Sequence, residues 1–140
     1  MNKSLLLLAA FLCIGLGVLL ANPIADYGVP VSYAKGRDIA FADFTMRYLG
    51  ERHVKSPVFK PGFTFQDFAV TSRGRTQTVS WTSGTGVIDA ADFQVDGKPY
   101  ALELRGSVAR KDWLRDGEMV VWRQADFQKA LEKRNAETRR

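Results

Sequence analysis

The sequence predicts a mainly β protein of α+β type. An N-terminal transmembrane or signal helix leads into an antiparallel β-meander of five or six strands, a curled sheet or small open barrel, with one C-terminal helix. Three observations predict it. No charged residue occurs from Ser4 to Ala25, apolar residues alternate at period two through most of the chain from Ile39 to Trp122, and a helical period appears only after Gln124.

The uncharged segment contains an unbroken run of Leu, Ala, Phe, Cys, Ile, Gly and Val from Leu5 to Ala21, 17 residues long. Secretory apolar regions run to about 7 to 15 residues, and a membrane-spanning helix needs roughly 17 to 25. Signal peptidase wants small residues at −3 and −1. A cut after Ala21 puts Leu19 at −3, and a cut after Ala25 puts Pro23 there, so an uncleaved signal anchor is favoured over a signal peptide for residues 1–25. Lys3 and the terminal amine flank the run on the near side and hold that end in the cytoplasm. The expected location is therefore the plasma (inner) membrane, single-pass, with the domain on the periplasmic or extracytoplasmic side. The alternative is a soluble periplasmic or secreted protein after cleavage.

Residues 26–38 carry Gly28, Pro30 and Gly36 without sustained periodicity and read as a linker. The β-rich domain is expected over 39–135. Ile39 and Phe41, then Phe44, Met46 and Tyr48, alternate across a one-residue phase slip, as do Phe63 and Phe65, then Phe68 and Val70; each slip predicts a strand with a bulge. Phe41-Ala-Asp43-Phe44 and Phe65-Gln-Asp67-Phe68 are each followed by a glycine, Gly50 and Gly74, at an offset of 24 residues. Two strands needing the same bulge and turn explain this match as well as a duplicated hairpin does.

Gln77, Val79 and Trp81 oppose Thr76, Thr78 and Ser80 in a half-buried strand. Asp96-Gly97 is a two-residue hairpin signal. Its return strand places Tyr100, Leu102 and Leu104 on one face and Ala101, Glu103 and Arg105 on the other, expected to be solvated. Asp116-Gly117 precedes a short strand from Met119 to Trp122. Phe127, Ala130 and Leu131 then fall at i, i+3 and i+4, predicting a helix from about Gln124 to Arg134 that covers one open end or edge. A solvated basic extension follows from Lys133, with 136–140 as a basic tail.

Charge narrows the function. The net +5 divides into Lys3, a +3 cluster in Lys133 to Arg140, and only +1 over residues 4–132. A nucleic-acid binder would carry a basic stripe on the folded body, and none is expected here. The single cysteine, Cys13, lies in the apolar run, so the domain has no disulfide and no thiolate metal site.

Chemistry has few footholds. The only histidine, His53, sits between Arg52 and Lys55 and reads as an exposed loop residue. No serine lies in a nucleophile-elbow pattern. The Ser83-Gly84-Thr85-Gly86 loop lacks the lysine of a phosphate-binding loop. Glu103 and Asp92 are the carboxylates that a glycan hydrolase would need as a pair, although a solvated strand face is the better reading of Glu103. No cofactor and no metal is expected. Trp113, with Arg110 and Arg115 beside it in a turn-rich stretch, is the candidate partner-binding group, because exposed Trp and Arg dominate binding hot spots.

The expected function is a non-enzymatic, membrane-anchored extracytoplasmic binding module of the regulator, inhibitor or immunity type. It would contact an envelope protein or a cell-wall component. The alternatives are a small carboxylate-dependent hydrolase acting on cell-wall glycan and a structural subunit of a membrane complex.

Overall fold

A computed structural model of the protein describes residues 22–83, 90–105 and 114–140. The strands are β1 (Val31–Ser32), β2 (Asp38–Ala40), β3 (Thr45–Val54), β4 (Phe63–Ser72), β5 (Arg75–Ser83), β6 (Ala91–Val95), β7 (Lys98–Leu104) and β8 (Glu118–Arg123), followed by helix α1 (Gln124–Thr138). They form two antiparallel four-stranded sheets, ordered β2-β3-β4-β5 and β1-β8-β7-β6.

The meander expectation holds within each sheet, where neighbours in sequence pair. The strand count does not hold: eight strands replace five or six, and two packed sheets replace one curled sheet. Part of the surplus is β1, in the segment read as a linker, and part is β2, split by a turn from the strand with which it was read as continuous. Residues 26–38 are packed into the fold, with Val31 paired to Met119 and Ser32 to Glu118. Gly28 N donates to Val121 O at 2.8 Å, and Tyr33 N donates to Gly117 O at 2.8 Å. Gly28 must be glycine, since its φ is +77° and a Cβ would stand 3.0 Å from the Trp122 ring.

Period-two alternation fills the space between the sheets. Met46, Phe68, Val70, Val79 and Trp81 from one sheet meet Phe93, Val95, Tyr100, Leu102, Leu104, Met119 and Val121 from the other in a single core. Aromatic edges join the layers, with Phe44 centred 5.0 Å from Tyr100 and 5.7 Å from Phe93.

The expected slip near Asp43 is a turn rather than a bulge. Phe41 N donates to Phe44 O at 2.8 Å, closing β2 onto β3. The bulge lies further on, at Leu49, where the β3–β4 register jumps from Tyr48↔Phe68 to Gly50↔Asp67. β4 itself is continuous, so Phe68 and Val70 face the core while Phe63 and Phe65 turn to the outer face. The two Phe-x-Asp-Phe motifs thus occupy different settings, a turn and a mid-strand. Asp96 and Gly97 have φ of +50° and +77° and join Val95 to its partner Lys98, the hairpin expected from the sequence.

β7 differs most from its reading. Glu103 is not on a solvated face; it is 0% exposed. Helix α1 lies across the outer face of β7 and β8 rather than over an open end, with Phe127 buried and its ring 6.3 Å from that of Trp122. Trp122 Nε1 donates to Glu103 Oε2 at 2.7 Å, and Arg134 reaches Glu103 Oε1 at 3.4 Å. The helix also runs on to Thr138, so Arg134, read as part of a solvated extension, is instead the counter-ion of a buried carboxylate.

A buried charge is tolerable only with its partners in place. Glu103→Ala, which removes the acceptor shared by Trp122 and Arg134, is expected to cost about 3 kcal/mol of unfolding free energy. Glu103→Gln, which keeps an acceptor, should lose less. Urea denaturation of the chain from Asn22 onward measures both.

Candidate functional site

At the end of the sandwich where β4 finishes, three turns converge: Phe41–Phe44, Arg73–Gly74 and Asp96–Gly97. The second is a two-residue turn, with Arg73 at φ +49° and Gly74 at +72°. Between them open two adjoining recesses of about 570 and 510 Å³ that share Ser72, Arg73, Val95 and Asp96. Arg75, Thr76 and Gln77 line the first and Asp43, Thr45 and Lys98 the second, with Val70 and Val95 supplying apolar floor.

Asp43 fixes the second recess. Its Oδ2 accepts Tyr27 Oη at 2.8 Å and Tyr100 Oη at 2.9 Å, and its Oδ1 accepts Lys98 Nζ at 3.0 Å. The Tyr27 hydroxyl in turn accepts Asp43 N at 3.3 Å. These donors, Tyr27 first, then Lys98 and Tyr100, hold the carboxyl down to about 2. Burial, reinforced by bonding to Asp43, pushes both tyrosines up, so they remain donors at neutral pH. In the first recess Asp96 accepts Ser72 Oγ at 2.6 Å and faces Arg73 at 3.6 Å.

The residues singled out in the sequence lie elsewhere. Arg110 and Trp113 fall outside the described residues, as do positions 84–89 of the glycine-rich loop. Arg115 is exposed in the turn before β8, where its N donates to Glu118 Oε2 at 2.9 Å. β8 begins beside Leu104, at the far end of β7 from Lys98, so Arg115 takes no part in the recesses. Asp92 is exposed on β6, whereas Glu103 is sealed under α1; the two do not flank a cleft. His53 is exposed on β3 with Nδ1 3.3 Å from Thr64 Oγ1, on a strand rather than in a loop. Among the described residues no group of three or more His, Cys, Asp or Glu is placed to hold a metal.

Sequence reasoning missed Arg73, Arg75, Lys98 and Asp43 as a group because they come from three turns. The one usable signal was local and covers two of the three turns: Arg73-Gly74-Arg75 and Asp96-Gly97-Lys98 each set a turn glycine beside a cation. The arrangement offers guanidinium and ammonium donors, hydroxyls and a side-chain amide around a small apolar floor. Lys98 already faces Asp43 and Arg73 faces Asp96, which leaves Arg75 as the cation with no ion pair among the described residues. The one aliphatic hydroxyl of this surface set directly on a carboxylate is Ser72, whose Oγ donates to Asp96 at 2.6 Å.

Because the Asp43 carboxyl sits below its ordinary value of 3.8 in the fold, it stabilises the folded state above about pH 4, and that contribution disappears as pH falls through about 2. Asp43→Asn should be less stable than the parent by on the order of 1–2 kcal/mol at neutral pH, with the gap closing between pH 4 and 2 in urea titrations. No known protein family, curated protein or solved structure matches the chain, so the chemistry of these side chains carries the functional reading.

Proposed function

We propose that the protein is a membrane-tethered, extracytoplasmic binding module without catalytic activity, held by its N-terminal segment and presenting the Arg73–Arg75–Lys98 recesses to an envelope protein or cell-wall component. The observation that carries this reading is polarity along the sandwich. Ala25 bridges Phe41 in parallel, and Asn22 to Ile24 line a groove with Arg37, Asp38 and Ile39. Traced backwards, the chain leaves the domain away from the recesses. A tether on that side points the recesses outward, where a partner can reach them.

Residues 1–21 lie outside the described residues, and no described helix is long and apolar enough to cross a membrane; the tether rests on the uncharged run of the sequence. The separate situations of Glu103 and Asp92 favour binding over glycan hydrolysis, because a two-carboxylate mechanism needs both acids on one cleft.

Alkaline phosphatase fused after Arg140 is expected to be active, and inactivity would reverse the orientation. A photo-crosslinking amino acid at Arg75 should capture a specific cell-envelope component, while one at Lys129 on the exposed side of α1 should not. Arg73→Glu with Arg75→Glu should abolish capture from a second crosslinker at Gln94. Equal capture from Arg75 and Lys129 would remove the recesses from the reading.

A further inference from the structure

The β3–β4 hairpin closes the end of its sheet opposite the recesses, with β5 alongside it as far as Ser83, opposite Thr64. From Glu51 to Val54 every β3 residue is exposed, and the connecting residues 55–62 carry Val58, 93% exposed, and Phe59, 38% exposed. The apolar character is continuous. Val54 pairs with Phe63 and Arg52 with Phe65 on the outer face; Phe59 stacks on Phe63 at 5.4 Å, and Arg52 lies 4.5 Å over the Phe65 ring. The loop has a fixed shape. Ser56 Oγ accepts Val58 N at 3.3 Å and Phe59 N at 3.0 Å, and Gly62 N donates to Phe59 O at 2.8 Å. Gly62 has φ +72°, and a Cβ there would stand 2.5 Å from Val54 O, so the turn tolerates no side chain at that position.

Charge surrounds this apolar tip. Residues 51–65 contain Arg52, Lys55 and Lys60 against Glu51, a net of +2. Arg52 is paired with Asp67 at 2.7 Å, whereas Lys55 and Lys60 have no ion pair among the described residues. Exposed apolar and aromatic side chains ringed by lysines match the interfacial zone of an anionic bilayer, where rings settle at headgroup depth and ammonium groups meet phosphates.

The path of the chain says which surface the tip meets. Residues 22–25 run alongside β2 from Asp38 towards Ala40, and β2 is antiparallel to β3 with Asp38 opposite Arg47. Traced backwards, the chain therefore heads towards the Val54 end of β3. Seven residues separate Arg47 from Val54, which places the hairpin tip roughly 20 Å further in that direction than Asn22. Only Asn22, Pro23 and Ile24 lie between the apolar run ending at Ala21 and the Ala25 bridge, a reach of at most about 14 Å. With so short a tether an upright domain would push the tip below the lipid surface, so the domain tilts and lays the tip in the interfacial layer.

We propose that the β3–β4 hairpin is a second membrane contact, with Val58 and Phe59 seated in the interfacial layer of an anionic bilayer and Lys55 and Lys60 on its phosphates. The proposal rests on the tethered reading above. It gives the domain two attachment points and a fixed orientation with the recesses facing away from the membrane.

The test uses the full chain in vesicles of mixed phosphatidylglycerol and phosphatidylcholine. Cys13→Ser is combined with Val58→Cys, or with Arg75→Cys as the distal reference, and each is labelled with an environment-sensitive fluorophore. The label at 58 should shift to the blue and lose most of its emission to lipids spin-labelled near the headgroup, while the label at 75 keeps its emission. Lys55→Glu with Lys60→Glu should reduce the quenching at 58 in anionic vesicles. If the protein floats with vesicles after alkaline washing but the label at 58 is as unquenched as that at 75, the hairpin proposal is overturned, a protein partner becomes the occupant of the tip, and the tether stands. If the protein is released by alkali or high salt yet is quenched at 58 at low salt, the tether fails and the hairpin contact stands. Absence of any association overturns both.

Discussion

The Asp43 carboxylate is the constraint on which the arrangement of layers depends. Its three donors come from Tyr27, before the first strand, and from Lys98 and Tyr100 on β7, up to 57 positions away in sequence. Tyr27, Phe41, Phe44 and Tyr100 stack around it at centroid distances of 5.0 to 6.2 Å. An apolar cluster of this size would pack in several ways, since ring contacts are permissive in angle. A carboxylate with directional hydrogen bonds selects one of them. It fixes the β2–β3 turn against the second sheet, and that placement shapes the mouth of the recesses.

A second charge organises the other side. Glu103 lies on the face of β7 turned away from the core, and α1 has little apolar surface with which to cover it: Phe127 is its only buried residue. The helix is held by a mixture of that ring, Trp122 and the Glu103–Arg134 contact. A helix attached in this way is specific in position without being strongly adhesive.

Much of this was legible in the sequence, and the failures share a cause. Alternation identified the core faces of β5 and β7, and Asp96-Gly97 identified its hairpin, because these signals depend on neighbours along the chain. The two-residue strand β1 was not legible, since so short a segment has no period and becomes a strand only by pairing with β8, and β2 reads as the start of β3 because the turn between them resembles a bulge. Glu103 was misread because alternation reports two faces but not what covers the second. The turn at Asp43 and a bulge leave the same phase slip in the pattern, and only the partner strand separates them. The recesses were invisible for a related reason, being assembled from turns that no spacing rule connects.

The residue that neutralises Glu103 follows it by 31 positions. Whenever the chain is delivered with its N-terminus leading, β7 arrives with an ionised side chain on a face that nothing yet covers. Both sheets can close around their shared core at that stage, but one outer surface remains wet, with Trp122 exposed as soon as β8 has joined. A chain folded only through β8 therefore keeps the Glu103 carboxyl and the Trp122 ring bare, and a variant cut short before Arg134 carries that face on its surface.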